Sequence, residues 1–511
     1  MFTVLKMHAL LNILNNFTSM EFLFSLMFGV IGGIIIGALP GFSSVMGVAL
    51  LIPVTFGMSP VAGITMLAAV YSASTYGGSI SAILIHTPGT SSSVATCIDG
   101  YQMTLKGEGL KAISVSTVSS VFGGLVGAIA LLLISPPLSR ISLRFSAPEY
   151  FLLAIFGLTI ISGLSAETVF KGLASAVFGL LLGTIGVDIM TGINRFSFGF
   201  TTLEGGVPIV PPMIGLFSLS EVLIQIEKLK IDKEKNIIQK HLGSMFLRLK
   251  EFKEILPTAS ISSIIGLIVG ILPGAGADIA AWVSYDQAKK FSKTPEKFGT
   301  GYAGGVAASE AANNAAACGA LIPLLTLGIP GSVTTAVLYG GLLIHGMRPG
   351  YQMFTKYADV SYAIIIGIIV ANILMGIFGL LIAKYAAKIS SLPTGMLAPY
   401  IVVLSVVGTY AATSNLFDVF LMIFFGLVGY FIRKANYSDA GIILGLILGP
   451  LAEAGFRQSI VMSKGNMLGY YFGRPICVIL MILITLSVLT PMALSYLKKA
   501  RDSKSNSPVI D

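Results

Sequence analysis

Long runs of apolar residues follow one another along this chain, separated by short breaks that contain Pro-Gly pairs or charged side chains. Because about 20 helical residues cross the roughly 30 Å of membrane hydrocarbon, the longer runs predict spanning helices. In chain order they are Met20–Leu39, Ile113–Ile134, Tyr150–Leu164, Val169–Ile185, Pro208–Ile226, Leu256–Leu272, Ser361–Ala386, Leu397–Ala412, Leu416–Phe431, Ile442–Leu451 with its extension, and Val478–Tyr496. Shorter apolar pieces predict broken segments at Val45–Phe56, Val61–Tyr76 and Ser79–His86. The pattern predicts an all-α polytopic membrane protein with about 10–12 transmembrane helices.

One long polar stretch, residues 227–255, divides the apolar runs into two sets. It is too polar to span a membrane, and its excess of Lys and Arg predicts a cytoplasmic location. The predicted domains are therefore an interfacial segment at 1–19, a first membrane repeat at 20–226, this cytoplasmic linker, a second membrane repeat at 256–497 and a basic cytoplasmic tail at 498–511. The interfacial segment has no small-residue cleavage site, so we do not interpret it as a signal peptide.

The composition supports this interpretation and excludes several classes of function. Of the 511 residues, 55% are hydrophobic and only 11% are charged, with a mean hydropathy of +0.88. Soluble domains carry about 25% charged residues. The net charge of +9 comes from basic residues in the connecting segments, which indicates membrane topology rather than binding of nucleic acid. The three cysteines and four histidines are dispersed, so we expect no disulfide framework, metal cluster or prosthetic cofactor.

Three landmarks occur in the same order in both halves of the chain, which indicates an internal duplication. They are a nine-residue segment with six identical positions that ends in Leu-Pro-Gly, a second Pro-Gly pair, and the sequence Gly-Tyr-Gln-Met. They lie at Gly33–Gly41 and Gly266–Gly274, at Pro88-Gly89 and Pro330-Gly331, and at 100–103 and 350–353. Duplicated halves with Gly/Pro-interrupted helices at corresponding positions are typical of secondary transporters with inverted repeats. We therefore predict two inverted repeats with broken or re-entrant helices at the Pro-Gly motifs.

The four Pro-Gly breaks predict where a ligand binds. A broken helix leaves N–H groups unpaired at its N-terminus, and the helix dipole adds partial positive charge, so an anion fits there without an Arg. Hydroxyl side chains follow the second break of each half, Pro88-Gly89 and Pro330-Gly331, and suit carboxylate oxygens, although the alternative is that they only cap the broken helices. The predicted substrate-binding residues are Pro40, Gly41, Ser43, Pro88, Gly89, Thr90, Ser91, Pro273, Gly274, Pro330, Gly331, Ser332 and Thr334.

The stretch Gly301–Gly331 consists mostly of Gly and Ala but holds Glu310, Asn313 and Asn314 near its centre. Small residues let helices approach closely, whereas polar side chains in an apolar run are costly and indicate a functional site. Because an anion with several charges brings more charge than helix dipoles neutralise, we expect a co-transported cation nearby. The amide oxygens of Asn313 and Asn314 are predicted ligands for Na⁺. A proton carried by Glu310 or Asp278 is the alternative.

Several short motifs around the breaks are specific enough to compare with known families. They are Leu39-Pro40-Gly41, Tyr76-Gly77-Gly78-Ser79-Ile80, Pro88-Gly89-Thr90, Asp99-Gly100-Tyr101, Pro273-Gly274-Ala275-Gly276-Ala277, Glu310-Ala311-Ala312-Asn313-Asn314-Ala315 and Leu327-Gly328-Ile329-Pro330-Gly331. In these residues, and from about Met20 to Tyr496, the chain resembles the large membrane subunit of the tripartite tricarboxylate transporters, the TctA family. The resemblance implies a multi-pass carrier in the bacterial or archaeal inner membrane that imports di- or tricarboxylates on a gradient of Na⁺ or H⁺. It also implies a small membrane subunit and an extracytoplasmic solute-binding protein as partners.

Two other functions compete with that of a carrier. A membrane channel or a non-transporting scaffold would also be polytopic, but duplicated broken helices favour a carrier. An intramembrane aspartyl protease would use Asp278 and Asp286 as carboxylates that share a proton. Both acids fall in one short segment, with Lys289 and Lys290 beside the second, so the spacing disfavours an enzyme.

Connections between the predicted spans are short everywhere except in the linker. None reaches the about 50 residues that a separate domain needs. We therefore predict that a separate protein captures the substrate. We expect no nucleic acid as a partner, and the sequence leaves open whether the chain forms a homo-oligomer.

Overall fold

The computed structural model describes residues 19–164, 168–188, 191–228, 243–390 and 394–489. These residues are mostly helical, and the sheet among them consists of two short antiparallel strands, β1 (Gly186–Val187) and β2 (Asn194–Arg195). Seven of the described helices are long and apolar enough to cross a membrane, and several shorter apolar helices accompany them. The structure thus confirms the predicted all-α polytopic class, whereas the number of spans stays a prediction.

The helices follow the predicted apolar runs. Before the linker they are α1 (Met20–Ala38), α2 (Ser44–Leu51), α3 (Pro60–Ile85), α4 (Val94–Leu105), α5 (Gly109–Ser142), α6 (Ala147–Leu164), α7 (Val169–Gly183) and α8, which consists of Val210–Met213, a π-helical turn at Ile214–Leu219 and Ser220–Lys228. After the linker they are α9 (Leu249–Ile271), α10 (Gly276–Phe291), α11 (Ala303–Gly319), α12 (Leu321–Leu327), α13 (Val333–Ile344), α14 (Ala358–Ser390), α15 (Thr394–Thr413), α16 (Leu416–Lys434), α17 (Asp439–Met462), α18 (Met467–Phe472) and α19 (Pro475–Leu489).

The chain folds into two compact units. The first contains Met1–Leu143 and Val210–Tyr430, and the second contains Arg144–Ile209 and Phe431–Asp511. Each unit draws on both halves of the sequence, and all four Pro-Gly breaks lie in the first unit. The boundaries of the predicted membrane repeats remain predictions.

Corresponding helices of the two halves pack in the same way within the first unit. Gly33 and Gly37 of α1 lie against the backbone of α3. Gly266 and Gly270, their counterparts in α9, lie against the backbone of α11. A Cβ atom at any of these positions would overlap the neighbouring helix, so glycine allows backbone-to-backbone approach. The duplication seen in the sequence therefore recurs in the helix packing, whereas the inversion of the two halves stays a prediction.

The course of α3 corrects one interpretation of the sequence. We expected Val61–Tyr76 and Ser79–His86 to be separate apolar pieces, the second too short to cross a membrane. Instead α3 continues through Gly77 and Gly78 as one helix of 26 residues. The glycines serve packing rather than a break, because a Cβ atom at Gly77 would lie 2.5 Å from the carbonyl oxygen of Ile34 in α1.

The helix α9 begins inside the predicted linker. Its first turn contains Glu251, which accepts a hydrogen bond from the backbone N–H of Arg248 (2.8 Å) and pairs with Lys111 at the start of α5 (2.8 Å). These polar contacts extend the helix beyond its apolar part. Residues 1–18, 229–242 and 490–511 lie outside the described part of the chain. These residues include nearly all of the predicted interfacial segment, half of the predicted linker and the predicted cytoplasmic tail.

Candidate functional site

The first break, Pro40-Gly41, turns the chain between α1 and α2. Gly41 has a φ of +80°, a left-handed backbone conformation that suits glycine. Its carbonyl oxygen accepts a hydrogen bond from Nε2 of Gln225 (2.7 Å). Ser43 then caps α2, because its Oγ accepts a hydrogen bond from the backbone N–H of Met46 (3.1 Å). The hydroxyl of Ser43, a predicted substrate-binding residue, thus caps a helix.

The second break, Pro88-Gly89, passes close to the ends of α1 and α3. The backbone N–H of Gly89 donates a hydrogen bond to the carbonyl oxygen of Gly78 (3.1 Å). An added Cβ atom at Gly89 would overlap the carbonyl oxygen of Gly37, so only glycine fits at this point of the turn. The break is therefore held by helices of its own half of the sequence.

A run of hydroxyl side chains follows this break. Oγ1 of Thr90 lies 3.1 Å from Oγ of Ser92, and Oγ of Ser93 donates a hydrogen bond to the carbonyl oxygen of Thr90 (2.7 Å). Ser91 makes a longer-range contact, because its Oγ donates to Oδ2 of Asp278 at the start of α10 (2.7 Å). Both partners are exposed. The structure thereby joins a predicted substrate residue of the first half to a candidate proton carrier of the second.

The third and fourth breaks bind each other directly. The backbone N–H of Gly274, which follows Pro273, donates a hydrogen bond to the carbonyl oxygen of Gly331, which follows Pro330 (2.9 Å). A Cβ atom at Gly331 would lie 2.6 Å from Cα of Ala320, so this turn also needs glycine. The sequence predicted both breaks but not their pairing.

Ser332 caps α13 and also contacts the first half of the chain. Its Oγ accepts a hydrogen bond from the backbone N–H of Thr335 (3.2 Å), and its own N–H donates to Oγ1 of Thr335 (2.8 Å), which forms a capping box. The hydroxyl of Tyr71 in α3 lies 3.2 Å from Oγ of Ser332. Sequence reasoning missed Tyr71, because a tyrosine in an apolar helix is typical of ordinary packing. Thr334 is buried in the first turn of α13.

Glu310 is fully buried, and four hydroxyl groups surround its carboxylate. Oε1 accepts hydrogen bonds from Ser79 (2.5 Å) and Thr96, and Oε2 accepts from Ser116 (3.0 Å) and Ser120 (2.9 Å). The donors belong to α3, α4 and α5, so one side chain of the second half holds three helices of the first. Hydrogen bonds to both oxygens make the burial of a carboxylate tolerable. The sequence signal for these partners of Glu310 was the polar run in α5, in which two serines lie four residues apart.

Asn313 and Asn314 extend this network along α11. Nδ2 of Asn313 donates a hydrogen bond to Oε1 of Glu310 (3.3 Å), and Nδ2 of Asn314 donates to Oδ1 of Asn313 (2.8 Å). Both amides are fully buried. Oδ1 of Asn314 accepts no hydrogen bond from any described residue. The structure thus brings three of the four candidate coupling residues together, whereas Asp278 contacts Ser91 instead. It leaves one buried amide oxygen without a donor, which is rare in proteins.

The helix α4 joins the hydroxyl run to the buried hydrogen-bond network around Glu310. The hydroxyl run leads into α4, and Thr96 in its first turn contacts Glu310 and also Oγ of Ser309 (2.9 Å). At about 1.5 Å per helical residue, Thr96 lies roughly 8 Å beyond Ser91 along the chain. One short helix end therefore connects the exposed contact of Ser91 to the buried carboxylate.

A second buried carboxylate, that of Asp99, lies in α4. Its Oδ1 accepts hydrogen bonds from the backbone N–H groups of Gly299 (2.9 Å), Gly301 (2.8 Å) and Tyr302 (2.8 Å). Its Oδ2 accepts from the hydroxyl of Tyr285 (2.8 Å). Asp99 therefore binds the turn that precedes α11 and positions that helix. Sequence analysis singled out this residue only within a motif, because its donors lie about 200 residues away.

The helix α10 carries both acids of the competing protease hypothesis. Asp278 and Asp286 are eight residues apart, or about 12 Å along the helix, which is too far to share a proton. Asp286 pairs instead with Lys290 (2.6 Å). Trp282, the only tryptophan of the chain, lies one turn after Asp278 and is 46% exposed.

Comparison with known proteins agrees with the predicted resemblance. The model of the "Tripartite tricarboxylate transporter TctA family" matches residues 23–444. An uncharacterized 52.8 kDa protein in the TAR-I ttuC' 3'region of Agrobacterium vitis is 38% identical over 438 residues, which cover 86% of this chain and 87% of the relative. An uncharacterized protein in the TAR-II ttuC' 3'region of the same organism is 37% identical over 201 residues, which cover 39% of this chain and 83% of that relative. No solved structure matches the chain. The chain is therefore a membrane component of a transporter rather than an enzyme, and it belongs to the tripartite tricarboxylate transporter TctA family.

Proposed function

We propose that this chain is the carrier subunit of a secondary active system that imports a di- or tricarboxylate together with a cation. The proposed location is the inner membrane of a bacterium or archaeon. The convergence of the broken helices carries this proposal. The hydroxyl run contacts α10, the third and fourth breaks bind each other, and α4 links the hydroxyl run to the buried Glu310.

The proposed anion site lies where α10 and α13 begin, opposite the hydroxyl run. Helix N-termini carry partial positive charge, and a Cβ atom at Gly276, the first residue of α10, would lie 3.4 Å from Cβ of Ser332. The exposed hydroxyl of Ser91 and the hydroxyl pair of Tyr71 and Ser332 supply further hydrogen bonds for carboxylate oxygens. Glycines at the breaks allow the substrate to approach the backbone.

Asp278 supplies a physical reason for coupling at this place. A charged Asp278 would repel a carboxylate substrate that binds beside Ser91. A proton on Asp278 removes this repulsion, so the anion and the proton bind best together. The free amide oxygen of Asn314 supports Na⁺ as the cation, with Asn313 and neighbouring carbonyl oxygens as further ligands. A proton on Glu310 or Asp278 is the alternative.

The partners follow from the family. In tripartite tricarboxylate transporters, the TctA protein works with a small membrane subunit, TctB, and a solute-binding protein, TctC. We propose that a solute-binding protein delivers the substrate to this chain and raises its local concentration at the outer end of the site. Transport at micromolar substrate then requires this protein. Full-rate uptake by the chain without it would contradict this part of the proposal.

Uptake into proteoliposomes tests the function itself. The chain is reconstituted with its two partners, and a panel of di- and tricarboxylates is offered with an inward Na⁺ gradient, with an inward H⁺ gradient and with neither. A carrier accumulates one of these substrates above its external concentration, and an ionophore that collapses the gradient abolishes the accumulation. A channel only equilibrates the substrate, and a scaffold moves none. Either of these outcomes would overturn the proposal.

A further inference from the structure

The second unit displays an apolar segment between α7 and α8. We call residues 193–200 the aromatic segment. Two of its rings are far more accessible than is usual for phenylalanine: Phe196 is 62% exposed and Phe198 is 77% exposed. Ile193 is exposed as well, and so is Val187 in the paired strand. Contiguous apolar surface of this kind marks a site of interaction.

The charges beside the aromatic segment neutralise one another. Arg195 donates two hydrogen bonds to Glu453 of α17 (2.7 and 3.1 Å). Arg457, also in α17, pairs with Asp188 (2.7 Å) and with Glu453 (3.2 Å). Two cations and two anions are thus bound together at the base of the segment. Apart from the exposed carboxylate of Glu204, four residues after the segment, the surface that remains is apolar, which suits contact with lipid better than contact with water.

The backbone of the aromatic segment is held in an unusual conformation. Phe196 and Phe198 both have a φ of 52°, in the left-handed region that is disfavoured for residues with bulky side chains. The base of the segment is fixed by the pairing of β1 with β2 and by the hydrogen bond from the N–H of Val187 to the carbonyl oxygen of Glu204 (2.9 Å). A rigid base therefore presents two rings outward at a conformational cost.

The position of the segment in the chain identifies lipid as its partner. One face of α7 carries a stripe of exposed apolar residues at helical spacing, as expected for contact with lipid. These residues are Phe170, Val177, Phe178 and Leu181. The aromatic segment begins only ten residues after the end of α7, so it lies near one end of a helix whose exposed face is apolar. The candidate span Val210–Glu227 follows the segment along the chain, so apolar helices flank it on both sides in the sequence.

We propose that the aromatic segment inserts Phe196 and Phe198 into the boundary between lipid headgroups and acyl chains. A soluble protein that binds and leaves would expose these rings to water between encounters, whereas lipid covers them at all times. The inserted rings set the depth of the second unit in the bilayer. This inference does not depend on which substrate is transported.

Spin-label accessibility tests the proposal on the full chain. The described cysteines, Cys97, Cys318 and Cys477, are all buried, so a single introduced cysteine takes the label. The test variant is Phe198→Cys, and Ile193→Cys is a second variant in case the first fails to fold. Leu181→Cys on the exposed face of α7 is the lipid control, and Glu204→Cys is the aqueous control.

Each variant is placed in nanodiscs of phosphatidylcholine and phosphatidylglycerol, first alone and then together with the small membrane subunit. Collision of the label with oxygen, which is concentrated in lipid, is compared with collision with a water-soluble nickel chelate. We expect the ratio of oxygen collisions to nickel-chelate collisions at residue 198 to match the ratio measured for Leu181→Cys. It should exceed the ratio measured for Glu204→Cys at least threefold. A ratio equal to that of Glu204→Cys would show a water-exposed surface and overturn the proposal. A label that neither reagent reaches would show a protein contact and would also overturn it.

Discussion

The carboxylate of Glu310 accepts hydrogen bonds from hydroxyl groups on three helices of the other half. Each of these buried donors depends on this acceptor, because a buried polar group without a partner costs about 1–3 kcal/mol. The same side chain is a candidate for carrying a proton. Its contributions to stability and to transport can be separated by the choice of substitution.

We expect Glu310→Ala to lower the free energy of unfolding by about 3 kcal/mol or more, because several hydroxyls lose their acceptor. Glu310→Gln keeps an amide oxygen in place and should retain more of the stability. It cannot change charge, so uptake is lost if Glu310 carries the coupling proton and is kept if Na⁺ is the coupling ion. Thermal unfolding in detergent and uptake into proteoliposomes measure the two effects. Asp286→Asn, on the exposed face of α10, is the control and should change neither. Wild-type uptake by Glu310→Ala would rule out a role in transport.

The unpaired oxygen of Asn314 leads to a second expectation. If it binds Na⁺, Asn314→Ala should raise the Na⁺ concentration for half-maximal uptake at least tenfold, which corresponds to about 1.4 kcal/mol of binding free energy. Asn372→Ala is the matched control, because Asn372 is equally buried but its Oδ1 is already paired with Ser72. Wild-type Na⁺ dependence in both Asn313→Ala and Asn314→Ala would refute the amide assignment and favour a proton on Glu310 or Asp278.

The identities of the polar residues were easier to predict than their partners. Glu310, Asn313 and Asn314 stand out in a run of Gly and Ala, and the structure brings them together. The contact of Tyr71 with Ser332 could not be predicted, since it joins residues 261 positions apart. Such pairs depend on how whole helices pack, which local sequence does not record.

Among the helices, the Pro-Gly pairs predicted the positions of all four breaks. Proline removes a backbone hydrogen-bond donor, and glycine adopts the backbone conformations that a turn needs. The Gly77-Gly78 pair was misread, because along the sequence it looks like another break. The pair differs from a break because Gly77 packs against the carbonyl oxygen of Ile34 in the neighbouring helix. A glycine that accommodates a neighbour and a glycine that forms a turn cannot be separated without knowing that neighbour.

The pairing of the third and fourth breaks leads to a prediction about Gly331. Gly331→Val would force a side chain against the backbone of Ala320 and displace the turn that Gly274 binds. We expect uptake to fall more than tenfold while folded protein is still produced. Gly32→Val is the control, because a Cβ atom at Gly32 meets nothing within 4 Å. Normal uptake by Gly331→Val would place the substrate elsewhere.

At the scale of the whole molecule, composition and hydropathy sufficed to predict the class of the protein, and the motifs sufficed to predict its family. They did not predict that each compact unit combines segments from both halves. That division depends on contacts between distant helices. The orientation of the halves is likewise a prediction that needs its own test.

Inverted repeats require an odd number of crossings between equivalent positions, so a cytoplasmic linker places the N-terminal end on the outer face. We therefore expect Lys6→Cys to react with a membrane-impermeant maleimide applied from outside. Lys250→Cys, at the exposed start of α9, should react only after the inner face is opened. The native cysteines that the structure describes are buried, so the background is low. Labelling of Lys6→Cys from the cytoplasmic side alone would exclude the inversion.

The place of Trp282 on α10 gives this protein a built-in optical probe. It is the only indole of the chain, and it lies one helical turn from the carboxylate that Ser91 contacts. Indole emission shifts with the polarity around the ring, so binding of an anion or a cation at the Ser91–Asp278 contact should change the fluorescence of the unmodified protein. Titration with substrate or cation, followed by tryptophan fluorescence, then gives the two affinities without a transport assay and without an added label.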